Sequence, residues 1–91
     1  IDVAFIGPFD LSTSMGIMGQ IDHPQMHQAL AKVLDACHRQ QVVPGIMTGP
    51  GLMKKHVDMG FRFLLGGSDA QFIHQGAKRC MEEFEQVNKI L

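Results

Sequence analysis

Three short apolar runs, each followed by a stretch with helical periodicity, constrain this chain more than any other feature. They are Val3-Ala4-Phe5-Ile6, Val42-Val43-Pro44-Gly45-Ile46-Met47 and Phe61-Arg62-Phe63-Leu64-Leu65. They are rich in strand-forming residues and show no regular polar alternation. That is the pattern of strands buried on both faces, as in parallel sheets. Pro44 cannot donate to a ladder, so it belongs near a strand start or against an unpaired edge.

The intervening stretches read as helices. Pro24 suits a first helical turn, and Met26, Leu30, Val33, Leu34 and Cys37 follow at spacings that share one face, ending near Arg39-Gln40. A short helix is expected from about Pro50 to Met59, with Gly60 at the position of a left-handed cap. The last helix follows Gly66-Gly67-Ser68-Asp69. It carries Ile73, Ala77, Cys80, Phe84, Val87 and Leu91 on one stripe, widened by Phe72, Met81 and Ile90. So wide a stripe fits either a broad core face or packing on another subunit. Between Phe9 and His23 lies a long connection in which Ser12-Thr13-Ser14 allows a helical turn. Strands alternating with helices imply an α/β fold with parallel strands and right-handed crossovers, a doubly wound sheet or part of a (β/α)8 barrel.

Composition removes several functional classes. Eight Lys+Arg stand against nine Asp+Glu with no basic run, which gives no footprint for nucleic acid. Tyr and Trp are absent, leaving few platforms for base stacking. No apolar stretch approaches the ~20 residues of a membrane span. Cys37 and Cys80 show no zinc spacing and are too few for a disulfide scaffold; both are expected as free, buried thiols in a reducing cytoplasmic setting. The chain opens directly on a strand-like run, so residues are expected upstream of Ile1.

In parallel α/β folds, sites lie at the carboxyl ends of the strands. Three stretches qualify: Gly7-Pro8-Phe9-Asp10, Gly45-Ile46-Met47-Thr48 and Gly66-Gly67-Ser68-Asp69. A carboxylate just past Gly7-Pro8 suits a hard cation that prefers oxygen ligands; the alternative is that Asp10 caps the turn through Thr13. The glycines before Asp69 suit an anion cradle at a helix start, or merely close packing. His23 and His27 are four apart but lack the acidic partner of a metalloprotease helix. His38, His56 and His74 read as isolated surface or half-buried residues, and neither cysteine reads as a nucleophile.

The run from Val3 to Ser12, with Ser14 and Gly16 after it, resembles a signature of the HpcH/HpaI aldolase/citrate lyase family, in which a strand ends in a pattern like F-I-G-P-x-D-L-S. His23-Pro24, Val43-Pro44-Gly45-Ile46-Met47 and the segment Gly60 to Asp69 match its later motifs in order and spacing. The resemblance implies that residues 1–91 are the last three βα units of a (β/α)8 barrel, a C-terminal part of one domain. It implies an aldolase that uses magnesium or manganese to cleave 4-hydroxy-2-oxo acids to pyruvate and an aldehyde. Asp10 would be a metal ligand, the backbone amides of Phe9 and Asp10 would hold the pyruvate carboxylate, Gly7 and Pro8 would shape the pocket, and Met47 would line it.

The resemblance also implies what these residues lack. The family's second metal carboxylate, its catalytic histidine and its arginine would lie upstream of Ile1, so the 91 residues alone would be inactive. The terminal helix would take part in homo-oligomer packing. Two further readings stand beside this one: a lyase acting on acyl-CoA esters within the same family, and a non-catalytic short product that acts only by association through its last helix.

Overall fold

A computed structural model describes residues 1–91. The three apolar runs form strands β1 (Val3–Ile6), β2 (Val43–Met47) and β3 (Phe63–Leu65). They pair in parallel in the order β1-β2-β3. The helices are α1 (Pro8–Ser14), α2 (Pro24–Gln40), α3 (Met53–Met59) and α4 (Asp69–Ile90). Each strand is thus followed by helix, as the alternating pattern requires.

Pro44 sits in the central strand without costing a bond to β3. Pairing with β3 begins one residue later, at Gly45↔Phe63, and the Pro44 carbonyl still accepts the Arg62 N–H at 2.9 Å. β3 starts two residues later than its apolar run. Phe61 turns instead into the core, where it is fully buried.

The core lies on one face of the sheet. Ile6, Ile46 and Leu64 are partners across the three strands. Ile46 joins Leu30 of α2 and Phe61 in the buried cluster, with Leu11, Leu34 and Met59 around it. Met26 and Cys37 of α2 are buried as well, so the 3- and 4-residue spacing of α2 is its inward face. α2 is capped as its opening predicts: Pro24 fills the first turn and the His23 ring accepts the Gln25 N–H at 3.1 Å. Its end is a left-handed Gln41, φ 56°.

The opposite face of the sheet is apolar and uncovered. Phe5, Val43, Phe63 and Leu65 are all exposed there. At one level Gly45 lies between its partners Phe5 and Phe63. The two rings meet edge to face above it, centroids 6.2 Å apart. A Cβ on Gly45 would stand 3.1 Å from both the Phe5 ring and the Phe63 carbonyl. One face under helices and one lined with inward-pointing apolar side chains is the layout of a barrel wall, whose interior is filled in layers.

α4 is also uncovered. None of its 22 residues is buried. The molecule extends 61 Å along its long axis, with a radius of gyration of 17.1 Å, against about 12 Å for a compact chain of this length. Beyond Phe72, which lies against Gly67, the stripe of α4 is therefore left uncovered by residues 1–91. Cys80 lies on it and is exposed, contrary to the expectation of a buried thiol; Cys37 is buried, and both are free. No helix is long and apolar enough to cross a membrane.

Candidate functional site at the carboxyl ends of the strands

The β1–α1 junction forms with almost no linker. Gly7 is the N-cap and Pro8 the first helical residue, so α1 begins where β1 stops. This places Asp10 in the first helical turn at the strand's carboxyl end. Asp10 does not cap a turn: α1 has no side-chain cap, and the Ser12 and Thr13 hydroxyls both donate to the Phe9 carbonyl, at 2.7 and 3.0 Å. The carboxylate is exposed and has neither an ion pair nor a side-chain hydrogen bond. The first helical amide to find a backbone acceptor is that of Leu11, which donates to Gly7 at 2.9 Å. The N–H groups of Phe9 and Asp10 are the free donors that any helix start leaves.

Ser12 fixes the connection that follows. It is fully buried, and its hydroxyl accepts the Gly19 N–H at 2.9 Å while donating to Phe9. The loop is tied at its far end by Lys55 of α3, which bonds Asp22 at 2.9 Å. That hydrogen bond, and the lysine's charge behind it, hold the Asp22 carboxyl below its ordinary range.

A cleft of about 410 Å³ opens at this end of the sheet. Gly7, Pro8, Phe9, Asp10 and Met47 all line it, so the residues singled out at the ends of β1 and β2 come together. The stretch after β3 behaves differently. Ser68 caps α4 by accepting the Gln71 N–H at 3.2 Å, and the Asp69 carboxylate takes the Ala70 N–H at 2.8 Å. Those amides are not free for an anion, and Gly67 instead lies against the Phe72 ring. From α4 the cleft receives Gln71 and Gln75.

One pair in the cleft was not expected. Thr48 and His56 are 7% and 3% exposed, and His56 Nδ1 lies 2.7 Å from the Thr48 hydroxyl. His56 is the one buried residue of α3, not the surface or half-buried residue that its isolation implied. Burial, followed by the charge of Lys55, lowers its pKa from the ordinary histidine value. The available signal is position: His56 falls three residues before Met59, which packs against the core, so the two share the inward side of this helix.

The other histidines and Cys80 take no part in this cleft, and no three His, Cys, Asp or Glu side chains converge as a complete metal site. A second hollow, of about 560 Å³, lies at the opposite end of the strands between α2 and α3, beside Cys37, Pro44 and Met59, and contains no carboxylate.

Residues 1–75 match the family model for HpcH/HpaI aldolase/citrate lyase. Similar proteins include a hydroxypyruvate/pyruvate aldolase of Chromohalobacter salexigens, 30% identical across 93% of this chain and 34% of its own length. A 4-hydroxy-2-oxo-heptane-1,7-dioate aldolase of Salmonella typhi is 32% identical across 99% of this chain and 35% of its own. Among solved structures, an HpcH/HpaI aldolase/citrate lyase family protein of Burkholderia cenocepacia superposes with a TM-score of 0.86 at 28% identity, over 93% of this chain and 34% of its own. An HpcH/HpaI aldolase of Desulfitobacterium hafniense gives 0.85 at 31%, with the same coverage. The chain therefore spans about a third of the length of these relatives. It belongs to the HpcH/HpaI aldolase/citrate lyase family, and its three βα units are part of that family's (β/α)8 barrel.

Proposed function

With that membership as premise, we propose that residues 1–91 are the C-terminal part of a single barrel domain in a divalent-metal-dependent aldolase. The parent protein cleaves 4-hydroxy-2-oxo acids to pyruvate and an aldehyde. The observation that carries this reading is the β1–α1 junction: an unpaired Asp10 carboxylate beside the free N–H groups of Phe9 and Asp10, opening on the cleft that Met47 also lines.

Each residue has a part. Asp10 supplies one hard oxygen ligand for magnesium or manganese, and its freedom from other partners fits that use. The metal, when bound, supplies Lewis-acid stabilisation of negative charge on the 2-oxo acid. The Phe9 and Asp10 amides hold the carboxylate of the pyruvate half as neutral donors. Gly7 and Pro8 keep the wall thin there, and Met47 gives an apolar side to the pocket. In cleavage the 4-hydroxyl loses its proton and the C3–C4 bond breaks. The electron pair stays on the pyruvate half as an enolate, and C3 is then protonated. The second metal carboxylate, the base and an arginine come from the part of the barrel that precedes Ile1, so the segment alone is inactive. The acyl-CoA reading is weaker, because this cleft offers no Lys or Arg to a nucleotide's phosphates.

A second copy of the protein covers α4. Phe72, Ile73, Met81 and Phe84 are each more than half exposed on it, and an apolar helix stripe of this length calls for a partner surface. The parent is thus a homo-oligomer. Two free thiols and seven methionines suit a reducing, cytoplasmic setting.

The test is Asp10→Asn in the full-length protein, assayed for pyruvate release across a magnesium and a manganese titration. Metal-stimulated cleavage is expected to vanish. Turnover equal to wild type at saturating metal would overturn the reading.

A further inference from the structure

We propose that Ser12 is a positioning residue for the pyruvate half of the substrate: through the Phe9 carbonyl it sets the direction and donor strength of the Asp10 N–H. The inference rests on the aldolase reading above and adds to it a residue that touches neither metal nor substrate.

The Phe9 carbonyl and the Asp10 N–H are the two ends of one planar peptide group. Whatever fixes the carbonyl therefore fixes the direction of the N–H. Two hydroxyls do so, Ser12 Oγ donating at 2.7 Å and Thr13 Oγ1 at 3.0 Å. Serines and threonines inside helices often bond back to a carbonyl three or four residues earlier, and that alone would mean little. Ser12 differs in two respects. Its side chain is fully buried, and its hydroxyl also accepts the Gly19 N–H at 2.9 Å, from seven positions further along. Thr13 is exposed and makes only the bond to Phe9.

The result is a row of hydrogen bonds that all point one way. The Gly19 N–H donates to Ser12, Ser12 donates to the Phe9 carbonyl, and the free Asp10 N–H stands at the far end of that peptide. Each bond in such a row polarises the next, so a carbonyl that accepts hydroxyl protons leaves its own N–H a better donor. The donors assigned to the pyruvate carboxylate are neutral amides, which hold an anion by aim rather than by full charge. Their direction is therefore what the site has to secure.

The same serine secures the loop that follows α1. Gly19 has φ 75° and lies against the Phe9 ring, where a Cβ would stand 3.7 Å from Cε2. Ile21, two residues on, lines the cleft. Ser12 thus joins the peptide assigned to the carboxylate to the loop that walls the cleft. Without its hydroxyl the Phe9 carbonyl keeps one hydroxyl donor and the Gly19 N–H loses its acceptor.

The experiment places Ser12→Ala in the full-length protein with magnesium. It reads magnesium affinity, the pyruvate Kd by calorimetry at saturating magnesium, and exchange of the pyruvate methyl protons with deuterated solvent at saturating pyruvate. The pyruvate Kd is expected to rise about threefold to tenfold, up to the worth of one net hydrogen bond, while magnesium affinity and saturated exchange stay within about twofold. An unchanged pyruvate Kd overturns the proposal. So does a loss of magnesium affinity or of saturated exchange by the same factor, which is what general loosening of the fold produces. Thr13→Ala removes one hydroxyl from the same carbonyl without opening the core and should raise the pyruvate Kd by less. Where Ser12→Ala does not fold, Thr13→Ala decides, and an unchanged Kd in it overturns the proposal. These outcomes leave the aldolase reading standing if wild type exchanges the methyl protons. Absence of exchange in wild type overturns the aldolase reading, and this inference with it.

Discussion

The carboxylate of Asp10 folds back over the backbone of Gly7, so closely that a Cβ on Gly7 would stand 3.0 Å from Oδ2. Gly7 has φ −96°, an extended conformation open to any residue. The constraint there is space for the carboxylate and not backbone strain. Gly7→Ala in the full-length protein should therefore displace Asp10 without unfolding the junction. We expect the metal concentration for half-maximal activity to rise severalfold, with activity largely recovered at saturating metal. A metal titration that overlays wild type would show that the carboxylate's position is unimportant.

Phe61 is fully buried and carries two duties, one in the cluster with Leu30 and Ile46 and one against the His56 ring. Phe61→Ala should cost about 3–5 kcal/mol by removing a large core side chain. Denaturant unfolding of the full-length protein reads the loss. A change within error would mean that the site collapses freely around the missing ring.

Gly45 leaves no room for a side chain. Gly45→Ala brings a methyl group against the Phe63 carbonyl and the Phe5 ring, each 3.1 Å away. The backbone carbonyl yields less than the ring, so a loss of about 1–3 kcal/mol is expected. Shortening Phe5 to Leu in the same protein should recover part of it, and the two effects should fail to add. Strict additivity in unfolding midpoints would mean the ring is not what the new methyl group meets.

Acid should weaken the Thr48–His56 junction. Burial and Lys55 lower the folded pKa of His56, while Asp22 acts weakly the other way. The unfolded chain then binds the proton more readily than the folded one. Stability from this group is fully present above the unfolded value of about 6.5 and is lost as pH falls through the lower folded value. The unfolding midpoint should drop over that window in wild type and drop less in the double variant Thr48→Val/His56→Phe, which removes both polar partners together. Equal pH dependence in the two proteins would place the titrating group elsewhere.

Much of this architecture is legible in the chain itself, because strand and helix periods depend on local spacing. The run Val3 to Ile6, the inward face from Met26 to Cys37 and the Gly7-Pro8 junction with Asp10 all follow from neighbours within a few residues. What is not legible depends on distance. Phe61 reads as a strand residue until the core on α2 is seen to need a plug. His56 reads as solitary because its partner Thr48 is eight positions away across a turn. Ser12 reads as a capping residue, while its hydroxyl closes a seven-residue span to Gly19. Cys80 reads as buried because its stripe is apolar, and periodicity reports that a face needs cover without saying which molecule provides it.

Phe5, Gly45 and Phe63 stand abreast on one level of the sheet, and none of them can change alone. A larger residue on the middle strand evicts a ring from an outer one, and a smaller residue on either outer strand leaves a gap that only the middle strand is placed to fill. Among descendants of this chain, replacements at these three positions should arrive as sets, with the bulk passed from strand to strand and the total held nearly constant.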